Sequence, residues 1–347
     1  MKNIEITKSI LDTLKVFLQG KTYSQIGILC DENTLEHCLP KIVSSLPEHW
    51  IIEIESGEEN KNLETCERVW DALTEGKFDR NSLLINLGGG VIGDLGGFVA
   101  STYKRGMHFI NIPTTLLAQV DASVGGKLGI DFNGLKNHIG LFNNPEKVFI
   151  DANFLQSLSK RELRSGFAEV LKHGLIMDAG YWEKSKSFDF ENANWLEIIK
   201  QSVQIKYDVV TEDPLESGLR KVLNFGHTIG HGIESAHLDS LSGRLLHGEA
   251  IAVGMICEAY LSTKLTGLST IALGEINVTI LNRYDCKFID KQLFESIIQL
   301  IYQDKKNEGR TINSSLLNEI GSCAINIPIS EADILDSLFY YNKLISN

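Results

Sequence analysis

The sequence of 347 residues lacks the features typical of membrane-spanning, disulfide-rich and nucleic-acid-binding proteins. No apolar run approaches the ~18 residues that a transmembrane helix needs. The six cysteines are scattered without a CxxC pair, so we expect reduced thiols and neither a disulfide framework nor a zinc knuckle. The net charge of −12 argues against a general binder of nucleic acid or of anionic membranes.

The N-terminal segment also lacks the pattern of a secretory signal. It carries acidic residues and has no continuous apolar stretch ending in a small-residue cleavage site. We therefore expect a cytoplasmic protein. We expect its partner to be a small molecule, and we expect it to bind neither nucleic acid nor a membrane.

The order of apolar segments predicts two domains, 1–152 and 153–347, because the chain is too long for one small core. In the first, strand-like runs such as Tyr23–Cys30, Trp50–Glu55 and Ser82–Leu87 alternate with helix-like segments. This order predicts an α/β domain with a Rossmann-like parallel sheet. The second has helical periodicity and few strand signals, so we expect an all-α domain.

A glycine turn, Gly88–Gly90, follows the third strand-like run. Glycines between a strand and a helix let backbone N–H groups approach a phosphate, and a helix N-terminus favours an anion. The spacing differs from the dinucleotide fingerprint G-x-G-x-x-G, so a tight turn without a ligand is the alternative. Asp94 could cap backbone N–H groups or bind a ribose or nicotinamide group.

Two further segments carry weaker signals. Thr114 and Thr115 follow the short strand Phe109–Ile112, where an open α/β sheet binds its ligands; an ST-turn that caps a helix is an equally good interpretation. The glycine-punctuated stretch from Gly125 to Gly140 predicts either a flexible loop or backbone that approaches a ligand closely.

Histidines and an acid predict a metal centre. His227 and His231 are spaced i, i+4 on one helical face, His247 stands at a predicted helix start, and Glu169 lies in an apolar helical stretch. Two histidines and one carboxylate would leave open coordination positions, as a catalytic Zn²⁺ or similar ion requires. Spacing nominates His227 and His231 as the ligand pair, but it cannot rank them against His247 or Glu249.

Basic residues are concentrated where glycines and histidines also occur, although the chain is acidic. A single surface lysine is usually only solvated, but cations interleaved in this way suggest a polyanionic small substrate. The basic residues concerned are Lys104, Arg105, Lys127, Lys136, Lys172, Lys206, Arg220, Lys221, Lys305 and Lys306.

Together these segments resemble the 3-dehydroquinate synthase family of sugar phosphate cyclases. The ordered motifs that carry the resemblance are GGGVIGDLGGFVASTYKRG, INIPTTLLAQVDASVGGKLGIDFNGLKNHIG, ELRSGFAEVLKHGLI, LRKVLNFGHTIGHGIE, LLHGEAIAVGM and DKKNEG. The resemblance implies an N-terminal NAD domain, a helical metal-binding domain and a homodimer. In that dimer Arg105 would reach the substrate phosphate of the neighbouring subunit. The segment between His231 and His247 is slightly longer than the family's pattern.

The resemblance also implies ligands for a metal, Zn²⁺ or Co²⁺, and for NAD. The metal set would be Glu169, His227 and His247, whereas His231 would lie near the substrate phosphate. The implied cofactor contacts are Asp31, Glu58, Lys61, Gly90, Val91, Ile92, Gly93, Asp94, Thr114, Thr115, Lys127, Lys136, Phe154, Leu155, Gln156 and Ser157.

The implied substrate is 3-deoxy-D-arabino-heptulosonate 7-phosphate. Oxidation at C5 acidifies the C6 proton and permits elimination of phosphate; re-reduction and an intramolecular aldol step then give the ring. Arg220 and Lys206 would hold the carboxylate, and His231 could relay the hydroxyl proton. The other implied substrate contacts are Arg105, Asp121, Lys127, Asn137, Glu169, Lys172, Asn224 and one of Lys305 and Lys306.

Three alternatives stay open at this point. A metal-dependent polyol dehydrogenase would release NADH stoichiometrically and needs no phosphate cradle, so Lys127, Lys136 and Arg220 argue against it. A sibling sugar phosphate cyclase would form a different ring. An NAD-binding regulator without activity would have no need of the intact acid, histidine and lysine sets.

Overall fold

The computed structural model describes residues 1–133, 135–192, 194–237, 244–303 and 312–346. The chain divides into two compact units. The first comprises Met1–Ser159 and Trp195–Tyr207, and the second comprises Lys160–Asn194 and Asp208–Asn347. The first unit thus extends beyond residue 152 and includes part of a later helix, an assignment that periodicity along the sequence cannot make.

The first unit is built on a six-stranded sheet with the order β1-β8-β5-β4-β2-β3, and the observed strand pairs are parallel. A separate antiparallel hairpin, β6 and β7, occupies most of the stretch in which we expected a loop or ligand-binding backbone. The strands are β1 Ile4–Thr7, β2 Ile26–Asp31, β3 Trp50–Ile54, β4 Leu83–Gly88, β5 His108–Pro113, β6 Lys127–Phe132, β7 Leu135–Phe142 and β8 Val148–Asp151.

Helices cover both faces of this sheet, as the Rossmann-like prediction requires. Side chains alternate between the faces along each strand, so in β4 Leu83 and Ile85 join one apolar cluster and Leu84 joins the other. The first cluster includes residues of α1, and the second includes residues of α3 and α4. The helices are α1 Ile10–Leu18, α2 Glu32–His37, α3 Leu63–Glu75 and α4 Gly90–Thr102.

Helix α4 packs against the sheet and against the β6–β7 hairpin more closely than side chains at these contacts would allow. A Cβ atom at Gly96 would lie 2.1 Å from Asn86 Oδ1 and 2.7 Å from Leu29 Cδ2. A Cβ atom at Gly97 would lie 2.4 Å from a Leu128 methyl carbon. The glycine pair at the end of the motif GDLGG, Gly96 and Gly97, therefore serves helix packing.

The second unit is mainly helical, which confirms the predicted fold class. It also contains an antiparallel hairpin, β9 Ile312–Glu319 and β10 Ser322–Ile329, that the sequence analysis did not predict. Its turn is anchored on α5, because Gly321 N donates to Leu175 O at 2.7 Å. The helices that follow residue 159 along the chain are α5 Lys160–Met177, α6 Ala179–Lys186, α7 Trp195–Glu212, α8 His227–Ala236, α9 His247–Leu265, α10 Thr270–Leu281, α11 Phe294–Gln303 and α12 Glu331–Ile345.

Helix α7 begins in the segment that groups with the first unit and ends in the second. Over the described ranges of the chain, no helix combines the length and the apolar character required to cross a membrane.

We predict that Gly96→Ala lowers the free energy of unfolding by about 1–3 kcal/mol, because the added methyl group overpacks the contact with Asn86 and Leu29. Gly274→Ala is the matched control, since a Cβ atom at this position of α10 meets nothing within 4 Å. Alanine there should stabilise the protein by about 0.5–1 kcal/mol. Urea denaturation measures both changes; equal stability of the two variants would contradict the packing account.

Candidate active site

Three helices of the second unit bring together the three side chains of the implied metal set. Glu169 lies on α5, His227 is the first residue of α8, and His247 is the first residue of α9. One ligand atom of each lies within 4.8 Å of the others. The Nε2 atoms of His227 and His247 are 3.5 Å and 3.7 Å from Glu169 Oε1.

Both imidazoles are oriented so that Nε2 faces the carboxylate. His227 Nδ1 is 3.1 Å from Phe225 O, and because a carbonyl oxygen only accepts, Nδ1 must donate. His247 Nδ1 is 3.2 Å from Glu234 Oε2. Hydrogen bonds of this kind at the remote ring nitrogen fix the tautomer of metal-binding histidines. Glu234 lies three residues after His231 on the same helix and was not among the residues predicted for this site.

The electrostatics of the cluster fit a divalent cation. Glu169 is fully buried and forms an ion pair with Lys172. Burial alone would lower the pKa of His247, but the carboxylates of Glu234 and Glu169 outweigh burial and raise that pKa to about 9. The carboxylates thus favour positive charge at this position. Two imidazoles and one carboxylate are a donor set suited to Zn²⁺ or Co²⁺ with open positions.

His231 lies beside this cluster. Its ring centroid is 5.1 Å from that of His227 and 5.8 Å from that of His247. Ligand atoms of His231, Glu234 and His247 also lie within 4.8 Å of one another. The structure therefore offers two donor sets that share His247. Of the i, i+4 pair nominated by spacing, His227 belongs to one set and His231 to the other.

In the first unit, the glycine turn and the two threonines occupy neighbouring strand ends. Gly88 ends β4 in register with Pro113 of β5, and Thr114 N donates to Gly88 O at 3.0 Å. Gly89 precedes α4, and within the described part of the chain no side chain caps this helix start. Its N–H groups therefore suit the phosphates of a dinucleotide.

The strand order supports the same location. Strands β2 and β4 are neighbours in the sheet. After β2 the chain continues to β3 on one side of this pair, and after β4 it continues to β5 on the other side. Open α/β sheets bind ligands at such a switch point, outside the carboxyl ends of the strands. Asp31 and Gly88 end the two strands concerned. The backbone in this region fits a dinucleotide such as NAD.

The family assignment rests on sequence comparison. Residues 51–165 match the family model for the N-terminal domain of 3-dehydroquinate synthase, and residues 166–307 match that for its C-terminal domain. The chain is 43% identical over 349 residues to the 3-dehydroquinate synthase of Parabacteroides distasonis, covering 99% of this chain and 98% of that protein. This chain belongs to the 3-dehydroquinate synthase family. The resemblance stated from the motifs is thereby confirmed.

Two solved structures share the fold of this chain. A 2-deoxy-scyllo-inosose synthase, solved with carbaglucose-6-phosphate, NAD⁺ and Co²⁺, has a TM-score of 0.84 at 24% identity, covering 96% of this chain and 95% of that one. The 2-epi-5-epi-valiolone synthase of Streptomyces hygroscopicus, with NAD⁺ and Zn²⁺ bound, has a TM-score of 0.85 at 22% identity, covering 99% and 97%. At these sequence identities, the similarity shows that the fold is shared and shows nothing further.

Two of the predicted cofactor contacts, Lys61 and Asp94, form a largely buried ion pair. Lys61 Nζ lies 2.7 Å from Asp94 Oδ2 and 2.6 Å from Asn137 Oδ1. Burial would lower the pKa of Lys61, but the carboxylates of Asp94 and Glu58 raise it above its usual value. Asp94 thus pairs with a lysine, a role that the sequence analysis did not consider. Asn137, predicted to contact the substrate phosphate, here lies against Lys61.

Other predicted cofactor residues also have structural contacts. Asp31 caps α2 by accepting from Thr34 N at 2.8 Å. Thr115 Oγ1 accepts from Ala118 N at 3.1 Å, as in the helix-cap interpretation of the two threonines. Phe154 and Leu155 are buried. The exposed predicted contacts in this unit are Arg105, Lys127, Asn137, Gln156 and Ser157.

The predicted substrate residues are held by local networks in each unit. In the first, Lys206 Nζ lies 2.7 Å from Asp121 Oδ1. In the second, the buried Arg220 donates from Nη1 to Pro214 O at 2.6 Å, and Asn224 Nδ2 donates to Glu216 Oε1 at 2.8 Å. Lys305 and Lys306 lie outside the described residues.

The turn next to Arg220 is built on one carboxylate. Asp213 accepts from the backbone N–H groups of Ser217, Gly218 and Arg220 at 3.0, 2.7 and 3.0 Å. Desolvation would raise the pKa of Asp213, but these hydrogen bonds outweigh it and lower that pKa to about 2. The carboxylate therefore stays ionised and keeps the backbone before Arg220 in place.

We predict that metal affinity rises with pH up to about 9, the value to which the pKa of His247 is raised. Below that pH the imidazole holds a proton that the metal must displace, so affinity should increase about tenfold per pH unit from pH ~7. Competition with a chelator at several pH values measures this dependence.

The control for this prediction is Glu234→Gln, which removes a carboxylate that raises the pKa of His247. The steep part of the dependence should then shift to lower pH. An affinity for metal that stays constant between pH ~7 and ~9 in the unmodified protein would contradict the prediction.

Proposed function

We propose that this chain catalyses the 3-dehydroquinate synthase reaction, in which 3-deoxy-D-arabino-heptulosonate 7-phosphate gives 3-dehydroquinate and phosphate. This would place it in the shikimate pathway of aromatic amino acid biosynthesis. The observation that carries the proposal is the convergence of Glu169, His227 and His247 in a chain that aligns with a 3-dehydroquinate synthase over 99% of its length.

The cofactors proposed are NAD and a divalent metal ion, Zn²⁺ or Co²⁺. When bound, NAD would accept a hydride from C5 of the substrate and return it later, while the ion would act as a Lewis acid. The α4 N-terminus would hold the dinucleotide phosphates. Glu169, His227 and His247 would hold the ion, and their geometry and charge fit this role.

Proton transfer is assigned to His231. It is half-buried and neighbours the proposed ligands, so a neutral imidazole there can accept the hydroxyl proton and later donate it. Asp121, Glu169 and Lys172 would orient the substrate hydroxyls. We propose this role for His231 in preference to metal binding, because both His227 and His247 direct Nε2 towards Glu169.

Cationic side chains would bind the two anionic groups of the substrate. A carboxylate is best held by a planar guanidinium with an ammonium as second charge, and Arg220 with Lys206 supplies these groups. The carboxylate is what separates this substrate from those of sibling cyclases. The phosphate would be bound by Asn137, Asn224, His231 and one of Lys305 and Lys306. Lys127 and Lys136 would lie near the nicotinamide and the substrate.

We further propose a homodimer of cytoplasmic subunits in which Arg105 reaches the phosphate bound by its partner. Arg105 is exposed, and its φ of 68° follows a φ of 48° at Lys104. Two consecutive non-glycine residues in the left-handed region are uncommon. This backbone supports a specific placement of the guanidinium.

We predict that purified protein with NAD⁺ and Zn²⁺ or Co²⁺ releases phosphate from the heptulosonate over many turnovers without accumulating NADH, because the hydride is returned. Phosphate release, absorbance of NADH and the ring structure of the product by NMR are measured together. Glucose 6-phosphate and glycerol serve as control substrates. Stoichiometric NADH from glycerol would support a dehydrogenase, and a ring formed from glucose 6-phosphate would support a sibling cyclase.

A further inference from the structure

The helix that carries His227 begins without a side-chain cap of its own. Gly226 occupies the N-cap position of α8 with a φ of 79°, and glycine has no side chain that could accept from the helix. The close approach of α9 requires glycine here. A Cβ atom at Gly226 would lie 2.6 Å from Met255 Cγ and 3.3 Å from Ile251 O.

A buried carboxylate of α9 supplies the missing cap. Glu258 Oε2 accepts from Gly226 N at 2.7 Å, and Glu258 Oε1 accepts from Ile229 N at 3.0 Å. In a capping box, the N-cap and N3 side chains of one helix satisfy the N–H groups at these same positions. Here one carboxylate from a second helix satisfies both.

The packing of α8 on α9 fixes where this carboxylate lies. Gly254 is one helical turn before Glu258, and a Cβ atom there would lie 2.0 Å from Gly226 O. A Cβ atom at Gly230 would meet Ile251 Cδ1 at 2.9 Å. Glu258 itself is fully buried and also accepts from Ser314 Oγ of β9 at 3.3 Å.

These contacts link the starts of the two helices that carry the proposed histidine ligands. His227 is the first residue of α8, and α9 begins at His247 and contains Glu258. The first turn of a helix has N–H groups without intrahelical partners, so its conformation depends on what caps it. The cap at Gly226 and Ile229 therefore controls the backbone from which the His227 imidazole projects.

We propose that Glu258 is a positioning residue of the metal centre. It acts on His227 through the backbone of α8 and holds that imidazole in place relative to His247 and Glu169. The inference rests on the metal set proposed above, but the two can fail separately. A His227→Ala protein that keeps its metal would overturn the metal set, whereas the Glu258 variants test the positioning role.

Glu258→Gln is the sharpest variant, because it keeps the size of the side chain and replaces one acceptor oxygen with an NH₂ group. One of the two cap N–H groups then faces a donor. We expect Zn²⁺ affinity, measured by chelator competition, to fall about 10–100-fold, the range typical of groups that orient metal ligands. The visible absorption spectrum of the Co²⁺-loaded protein should change as well.

Asp178→Asn is the matched control. Asp178 caps α6 by accepting from Tyr181 N at 2.9 Å, and α6 carries none of the three proposed ligands. This variant should unfold at lower urea concentration and keep its metal affinity. Glu258→Asp, which retains two acceptor oxygens on a shorter side chain, should lose less affinity than Glu258→Gln and serves if the latter does not fold.

A Glu258→Gln protein that binds Zn²⁺ with unchanged affinity would overturn the positioning role, as would unchanged affinity in Glu258→Asp if only that variant folds. An equal loss of affinity in Asp178→Asn would also overturn it, because the effect would then follow from general destabilisation.

Discussion

A fully buried carboxylate needs compensating positive charge, and Glu169 imposes this requirement on the second unit. Lys172, one turn further along α5, supplies part of the charge. The imidazoles of His227 and His247 supply donor atoms from two other helices. Three helix segments must therefore meet at one point, and the glycine contacts between α8 and α9 allow them to do so. A divalent cation would complete the balance of charge.

In the first unit, the proposed site for the dinucleotide phosphates is formed mainly by backbone groups and to a smaller extent by side chains. Glycines at the contact face of α4 bring that helix close to the sheet, which places its N-terminus at the carboxyl ends of β4 and β5. The N–H groups at such a position favour phosphate. Lys61, Asp94 and Asn137 form a connected polar network in the same unit. Glycine thus serves close packing in both units, and at the turn after β4 it would let a ligand approach the backbone.

Periodicity and motifs predicted the parallel sheet, the helical unit and the family, because these depend on local pattern. The metal set depends on distances between helices, so i, i+4 spacing nominated His231, whereas the implied set uses His247 at the start of another helix. Glu234 could have been noticed as an acid on the helix face of the histidines, and Glu258 as an acid within an apolar run. The β9–β10 hairpin was missed because polar residues interrupt its alternation of apolar side chains.

We infer that Glu169, His227 and His247 are the metal ligands. X-ray absorption at the zinc edge of the Zn²⁺-loaded protein reports the ligands of the bound ion. We expect a shell of two imidazole nitrogens and carboxylate oxygen at about 2.0–2.2 Å, unchanged in a His231→Ala protein. A shell that loses one imidazole in His231→Ala would contradict the assignment and would place His231 on the metal.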